Sequence, residues 1–267
     1  MKRIQLFEFE DFNWFPKMWR TSMTSLIVVL HKLMGTPAVL AELLKKARQQ
    51  VEFSQVVDLG SGSGGAMPLV FDQLSDEQSS QPFELLLTDL YPNPQLVRSI
   101  NDRQTPGLRY KSESVDATNM GETPTGLKTM VNSFHHMPPP VARKILHTAQ
   151  ENRQPFLIYE IAENNIPTLV WWLFLPVGLV IVFVMALFLT PFSRPLTVPQ
   201  LVFTYLIPVI PLAYAWDGQA SLVRMYTFDD LKSMLPPALE DYEWEMAPAP
   251  NPKGKTLGYY VLGIPKG

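Results

Sequence analysis

The stretch Val56-Val57-Asp58-Leu59-Gly60-Ser61-Gly62-Ser63-Gly64-Gly65 constrains this chain more than any other: an apolar run closed by an acid and then by alternating glycines. It predicts a buried strand feeding a tight turn. A strand core without charge suits a parallel sheet covered on both faces. Glycines at every second position allow positive φ and let the backbone approach a ligand with no Cβ in the way. Ala66 to Leu74 reads as the start of a helix, whose free N–H groups and positive dipole end face the same spot. Gly60, Gly62 and Gly65 also fit the G-x-G-x-x-G dinucleotide fingerprint, which needs no acid before its first glycine. Here Asp58 stands two residues ahead of Gly60, giving D-x-G-x-G-x-G.

That pattern resembles motif I of class I S-adenosylmethionine-dependent methyltransferases, in which the acid and the glycine loop surround the methionine part of the cofactor. Further signals follow in the order that family uses. Phe83 to Thr88 is a second apolar strand ending in Asp89, placed to accept both ribose hydroxyls. It is followed by Asn93 as N-cap and Pro94 at the first helical position. A third strand, about Leu108 to Val115, ends in Asp116-Ala117, and an acid there in this family reads the exocyclic amine of adenine. Then come Met130 to His136, a helix from about Pro139 to Asn152, and the strand Phe156 to Glu160. Five strand ends in one alternating series predict a doubly wound α/β sheet of Rossmann-like type, with ligands across the C-terminal strand edges. The resemblance implies S-adenosylmethionine as cofactor, with contacts at Asp58, Gly60, Ser61, Gly62, Gly64, Asp89, Leu90, Asp116, Ala117 and Asn132.

Composition excludes several alternatives. With no cysteine, disulfides, thiolate zinc sites and a Cys nucleophile are ruled out. A net charge of −3 and the lack of a dense Lys/Arg run argue against a nucleic-acid partner. Twenty-five prolines are too many for an all-helical protein. Glu8, Glu10 and Asp11 fall where a secretory apolar region would lie, so no signal peptide is expected.

Between Glu163 and Asp217 the only charge is Arg194. Pro167 to Thr190 is apolar throughout and long enough to cross a hydrocarbon core. The bland counterpart is a helix buried in the protein or in a dimer interface. Leu201 to Ala215 is shorter and is expected to be broken by Pro208 and Pro211, with Pro191 to Gln200 as the connecting turn. After it come a helix over Thr227 to Leu239, with Asp229 and Asp230 in its first turn, and strands over Tyr242 to Met246 and Thr256 to Ile264. Class I methyltransferases finish with such an antiparallel pair, making a sheet of seven strands, so the chain must return to the side it left. A helical hairpin or a monotopic dip satisfies this; a single crossing does not. The expected division is 1–50 as an N-terminal helical lid or anchor, 51–165 as the cofactor-binding core, 166–216 as the apolar insertion and 217–267 as the completion of the sheet.

In the first fifty residues an aromatic stretch (Phe7, Phe9, Phe12, Trp14, Phe15, Trp19) precedes an apolar helix from Ser22 to Met34. Thr36 is expected to cap a further helix opened by Pro37 and running to about Gln50. These helices either pack on the sheet, lid the site, or set Trp14, Phe15 and Trp19 at a bilayer interface. The whole chain is similar to a group of bacterial class I methyltransferases with three shared segments. These are the opening Phe7 to Pro16, Phe-His-His at Phe134 to His136, and Trp216 to Thr227 after an apolar insertion.

A sulfonium methyl donor already carries its leaving group, so holding a nucleophile in line supplies much of the catalysis, roughly 7 to 11 kcal/mol. A base is needed where the nucleophile is a protonated amine or a hydroxyl. His135 and His136, just past the fourth strand, are the candidates. Two adjacent histidines without a third ligand make a poor metal site, and no metal is expected. The function expected is methyl transfer to a hydrophobic, lipid or membrane-dissolved acceptor by a membrane-associated protein whose catalytic domain faces the cytoplasm, with oligomerisation through the insertion open. The competing class is a membrane-docked scaffold that kept the fold and lost catalysis. A dehydrogenase is disfavoured by Asp58 and by the absence of a second nucleotide-type half.

Overall fold

The computed structural model describes residues 3–76 and 83–266. In chain order the elements are α1 (Lys17–Met34), α2 (Thr36–Arg48), β1 (Gln55–Asp58), α3 (Met67–Asp76), β2 (Glu84–Leu87), α4 (Pro94–Asn101), β3 (Leu108–Tyr110), β4 (Leu127–Val131), α5 (Pro139–Glu151), β5 (Phe156–Glu160), α6 (Thr168–Leu189), α7 (Val198–Leu201), α8 (Val209–Arg224), α9 (Phe228–Met234), β6 (Tyr242–Pro250) and β7 (Thr256–Pro265). They gather into two compact units, one of Gly35–Ala162 with Phe228–Gly267 and one of Met1–Met34 with Glu163–Thr227.

The sheet unit has seven strands in the order β3-β2-β1-β4-β5-β7-β6. The first five pair in parallel, and β7 runs antiparallel to both β5 and β6. This is the doubly wound arrangement expected. Its direction of winding reverses between β1 and β4, where such sheets open a crevice for ligands beyond the strand C-termini. Val56, Val57 and Phe156 to Tyr159 have no exposure, as strands covered on both faces require. Leu40 and Leu44 of α2 join Met67 and Val70 of α3 in the core over this sheet. Each such side chain contributes roughly 1.5 to 3 kcal/mol by leaving water.

Local expectations are met in part. Asn93 caps α4 by accepting from Gln95 N–H at 3.0 Å, and Pro94 opens the helix. Asp229 and Asp230 sit in the first turn of α9, which stops at Met234 rather than Leu239 because Pro236 and Pro237 follow. Thr36 does not cap α2. Gly35, at φ 79°, is the N-cap, while Thr36 is buried inside the first turn with its hydroxyl bonded to Tyr159. α2 therefore groups with the sheet, and the division of the chain falls at Met34 rather than at residue 50. β3 ends at Tyr110 and not near Val115, since the polar run Lys111 to Ser114 is looped out along the end of β2.

The other unit is helical. α6 spans 22 residues and continues through Pro176, a length of about 33 Å at 1.5 Å per residue. Among the described residues one helix, Thr168–Phe192, is long and apolar enough to cross a membrane. Leu169, Leu173, Ile181 and Phe188 project from it with 81, 71, 61 and 72 % exposure. The chain then turns, and the segment Val198–Leu206 meets Val209–Arg224 at 77° across the break at Pro208. Pro211, expected to be a second break, lies in the first turn of α8, where a missing N–H costs nothing. α8 runs on to Arg224, so residue 216 lies within a helix and is no boundary. α6 and α8 pack along each other. At Gly178 an added Cβ would stand 2.8 Å from Oε1 of Gln219, the tip of a flexible side chain on α8.

Two sequence segments that stood out separately prove to be one contact. The opening segment is strapped across α8. Phe9 and Glu10 N–H donate to the two oxygens of Asp217 at 2.7 and 3.2 Å, and Trp216 Nε1 donates to Phe7 O at 2.9 Å. The Phe7 and Trp216 rings stack at 5.0 Å. Arg224, 1 % exposed, reaches Asp11 Oδ2 at 2.6 Å and Glu8 Oε1 at 3.1 Å.

Candidate functional site

The glycine loop leaves β1 along the C-terminal edge of the sheet. Gly60, Gly62, Gly64 and Gly65 all have positive φ. At Gly62, φ 51°, an added Cβ would meet nothing within 4 Å, and the residue is exposed, so its backbone lies open to a ligand. The loop is held from below. Ser61 N–H donates to Thr88 O, Gly64 N–H to Ser61 O, and the Tyr110 hydroxyl to Gly62 O at 2.8 Å.

Asp58 is part of that fastening. It is 3 % exposed, with Oδ1 accepting from the Thr129 hydroxyl and Oδ2 from the Ser61 hydroxyl, each at 2.7 Å. The side chains of Asp58 and Ser61 are therefore spent beneath the loop rather than displayed above it. Burial pushes the Asp58 carboxyl up to about 7, against the opposing pull of the two hydroxyl bonds.

Asp89 lies where the strand-end acid was expected and faces the loop. Its Oδ2 accepts Gly62 N–H at 2.9 Å and its Oδ1 accepts Tyr91 N–H at 2.8 Å. Each oxygen retains a further lone pair, so a half-buried carboxylate remains able to accept from a vicinal diol. Leu90 is 43 % exposed beside it, with its carbonyl taken by the Ser114 hydroxyl at 2.7 Å. Val115 N–H donates to Asp89 O at 2.9 Å, which brings the looped-out segment back to the site. Asp116 is exposed, six residues past the end of β3 (116 against 110), and its Oδ1 accepts Thr118 N–H in a local turn. Ala117 is half-buried next to it.

Asn132 joins the ends of β4 and β5. At φ 51° it donates its N–H to Tyr159 O at 2.8 Å and accepts Ile161 N–H on Oδ1 at 2.7 Å. Its side-chain oxygen thus ties the two strand ends together. Ser133 follows, and a Cβ on Gly60 would stand 3.6 Å from its Oγ.

His135 and His136 form a short 3-10 turn, Phe134–His136, just beyond β4, as expected. Glu160, at the end of β5 and wholly buried, holds His135 by two bonds: Oε1 accepts its backbone N–H and Oε2 lies against Nδ1, both at 2.9 Å. A carboxylate only accepts, so Nδ1 carries the proton that lies between the ring and Glu160. The His136 ring lies 4.3 Å from that of His135. Glu160 was not singled out from the sequence. The signal was there, since an acid closing an uncharged strand is the pattern that marked Asp58 and Asp89. Thr129 carried no such signal.

No family model and no curated protein matches this chain. Solved structures do. The plantazolicin methyltransferase BpumL in complex with SAH superposes with a TM-score of 0.53 at 9 % identity, over 94 % of this chain and 98 % of that one. The plantazolicin methyltransferase BamL, in complex with a triazolic desmethylPZN analog and SAH, gives 0.49 at 11 % identity over 93 % and 98 %. A SAM-dependent methyltransferase from Aquifex aeolicus gives 0.42 at 13 % over 84 % and 88 %. At these identities the likeness to BpumL establishes the fold, the class I fold of S-adenosylmethionine-dependent methyltransferases.

Proposed function

We propose that this protein is an S-adenosylmethionine-dependent methyltransferase acting on a hydrophobic acceptor drawn from a membrane. The observation that carries the reading is the pairing of an open glycine backbone at Gly62 with the Asp89 carboxylate, which fits a flat, polar ligand bearing a diol. A bound S-adenosylmethionine would be held by the loop Gly60 to Gly65 and by Asp89, and it supplies an activated methyl group with its leaving group attached. Asp116 and Ala117 are the proposed contacts to its base.

The chain's own chemistry then lies in His135. Glu160 keeps the ring in the tautomer with Nε2 unprotonated and fixes its orientation, which lets Nε2 take the proton from an acceptor N–H or O–H. His136 stands beside it as a second contact to the acceptor. The apolar outer surface of α6 supports a membrane-dissolved acceptor, and the sheet unit belongs on the cytoplasmic side. Calorimetry with S-adenosylmethionine, SAH and NAD tests the cofactor assignment. Binding of the first two in preference to NAD is expected. NAD binding with no response to the methyl donor contradicts it.

A further inference from the structure

The turn between α6 and α8 is inside out for a loop that faces water. Exposed connections normally carry their polar groups outward. Here Thr190 and Ser193 have no exposure and Gln200 has 2 %. Their side chains are consumed within the turn. Thr190 Oγ1 donates to Ala186 O at 2.8 Å, Ser193 Oγ to Thr190 O at 2.8 Å and Gln200 Nε2 to Ser193 Oγ at 3.0 Å.

The backbone is treated alike in part, although the buried Thr204 hydroxyl further along has no partner among the described residues. Pro191, Pro195 and Pro199 have no N–H to satisfy. Ser193 N–H donates to Thr190 O and Leu201 N–H to Thr197 O, both at 3.1 Å. Nη1 of Arg194 covers the carbonyls of Pro191 and Ser193 at 3.0 and 2.8 Å. Facing outward are Phe192, Val198 and Leu206, with 65, 72 and 77 % exposure. Tyr205 is exposed too, yet its hydroxyl turns back to donate to Leu187 O at 2.7 Å.

Irregular backbone is tolerated at membrane depth only where its polar groups are met internally, and a loop emerging into water has no such need. Resting on the membrane-associated reading above, we infer that residues 190–207 lie in the lipid phase and that the α6–α8 hairpin returns without delivering its turn to the water on the far side. Arg194 is the one charged side chain there, and it is long enough to lift its remaining N–H groups toward headgroup phosphates. Hydrocarbon is a better fit than a second protein copy, because a protein partner brings donors and acceptors and this turn offers it few to meet.

The chain contains no cysteine, so single substitutions report cleanly. Leu196→Cys and Val198→Cys, with exposed Asp229→Cys as control, are reconstituted in sealed phosphatidylcholine/phosphatidylglycerol vesicles. They are treated with a membrane-impermeant maleimide from outside or loaded inside. The two turn cysteines are expected to react about ten-fold or more slowly than the control from both compartments. A fluorophore placed on them before reconstitution should be quenched by doxyl-phosphatidylcholine. Labelling from either compartment at the control's rate overturns the inference, and so does slow labelling without lipid quenching, which means that protein covers the turn. Flotation of the cysteine-free protein with the vesicles reports separately on the membrane reading: protein that floats but labels fast at the turn leaves that reading standing and removes only this inference.

Discussion

Glu160 binds His135 with both carboxylate oxygens, one on the backbone N–H and one on Nδ1, each at 2.9 Å. The pair spans two strand ends, since His135 follows β4 and Glu160 closes β5, and its geometry fixes which ring nitrogen carries the proton toward the carboxylate. Glu160→Gln would present an amide N–H to Nδ1 and drive the proton to Nε2, removing the base without emptying the site. Turnover should fall by about 10²-fold or more, in both Glu160→Gln and His135→Ala, while SAH affinity changes little. Wild-type turnover across pH 6 to 9 in both variants would remove His135 from the chemistry.

Asp89 carries the loop as well as the proposed ligand. Asp89→Ala strips the acceptor from Gly62 and Tyr91 N–H. It should weaken cofactor binding by about 1.5 to 3 kcal/mol, read by calorimetry, while NAD shows no compensating gain.

Asp58 makes stability depend on pH in an unusual direction. Its folded pKa of about 7 lies above the ordinary 3.8, so between those values the folded state binds the extra proton. The stability it contributes is complete below the ordinary value and is lost as pH rises through the folded one, by about 1.4 kcal/mol per pH unit. Asp58→Asn keeps the shape and cannot ionise. Denaturant midpoints measured from pH 4.5 to 8 should fall with pH more steeply in the wild type than in Asp58→Asn. Parallel curves would mean that Asp58 is ionised throughout.

Arg224 lies between Glu8 and Asp11, with 1 % of its own side chain and none of Glu8's exposed. Arg224→Met leaves the Glu8 carboxyl buried without its cation and should cost about 3 to 5 kcal/mol. Protease sensitivity of the segment around residues 3–16 is the measurement. Unchanged resistance would show that the aromatic stacking of Phe7 on Trp216 suffices.

Ile181, 61 % exposed on α6, is the place to test the membrane reading by charge. Ile181→Lys should reduce recovery in the membrane fraction, because a lysine near the middle of an inserted helix costs roughly 2.5 to 3.5 kcal/mol. Cofactor affinity should hold. Wild-type protein released by salt alone would contradict the reading.

The sheet was legible because each buried strand ends in a polar punctuation mark and two crossovers begin with a recognisable helix start, at Asn93-Pro94 and at Pro139. The closing antiparallel pair was legible from its two apolar runs and the turn residues between them. What local pattern could not reveal were choices made by tertiary partners. Thr36 has the chemistry of a cap, but its hydroxyl goes to Tyr159, and Gly35 takes the capping position. Asp58 and Asp89 look alike as strand-end acids. Only packing decides that the first is sealed under Ser61 and Thr129 while the second faces the open loop. The opening segment and the Trp216 to Thr227 segment each stood out, yet nothing local says that Asp217 would accept the N–H groups of Phe9 and Glu10, more than two hundred residues away.

The most direct test of methyl transfer to a membrane-dissolved acceptor is incubation of the purified protein with a radiolabelled methyl donor and a total lipid extract, followed by partition between organic and aqueous phases. Label in the organic phase is predicted for the wild type, with His135→Ala and Asp89→Ala at background. An organic phase without label, from protein that calorimetry shows to bind S-adenosylmethionine, would contradict the account and leave a cofactor-binding scaffold in its place.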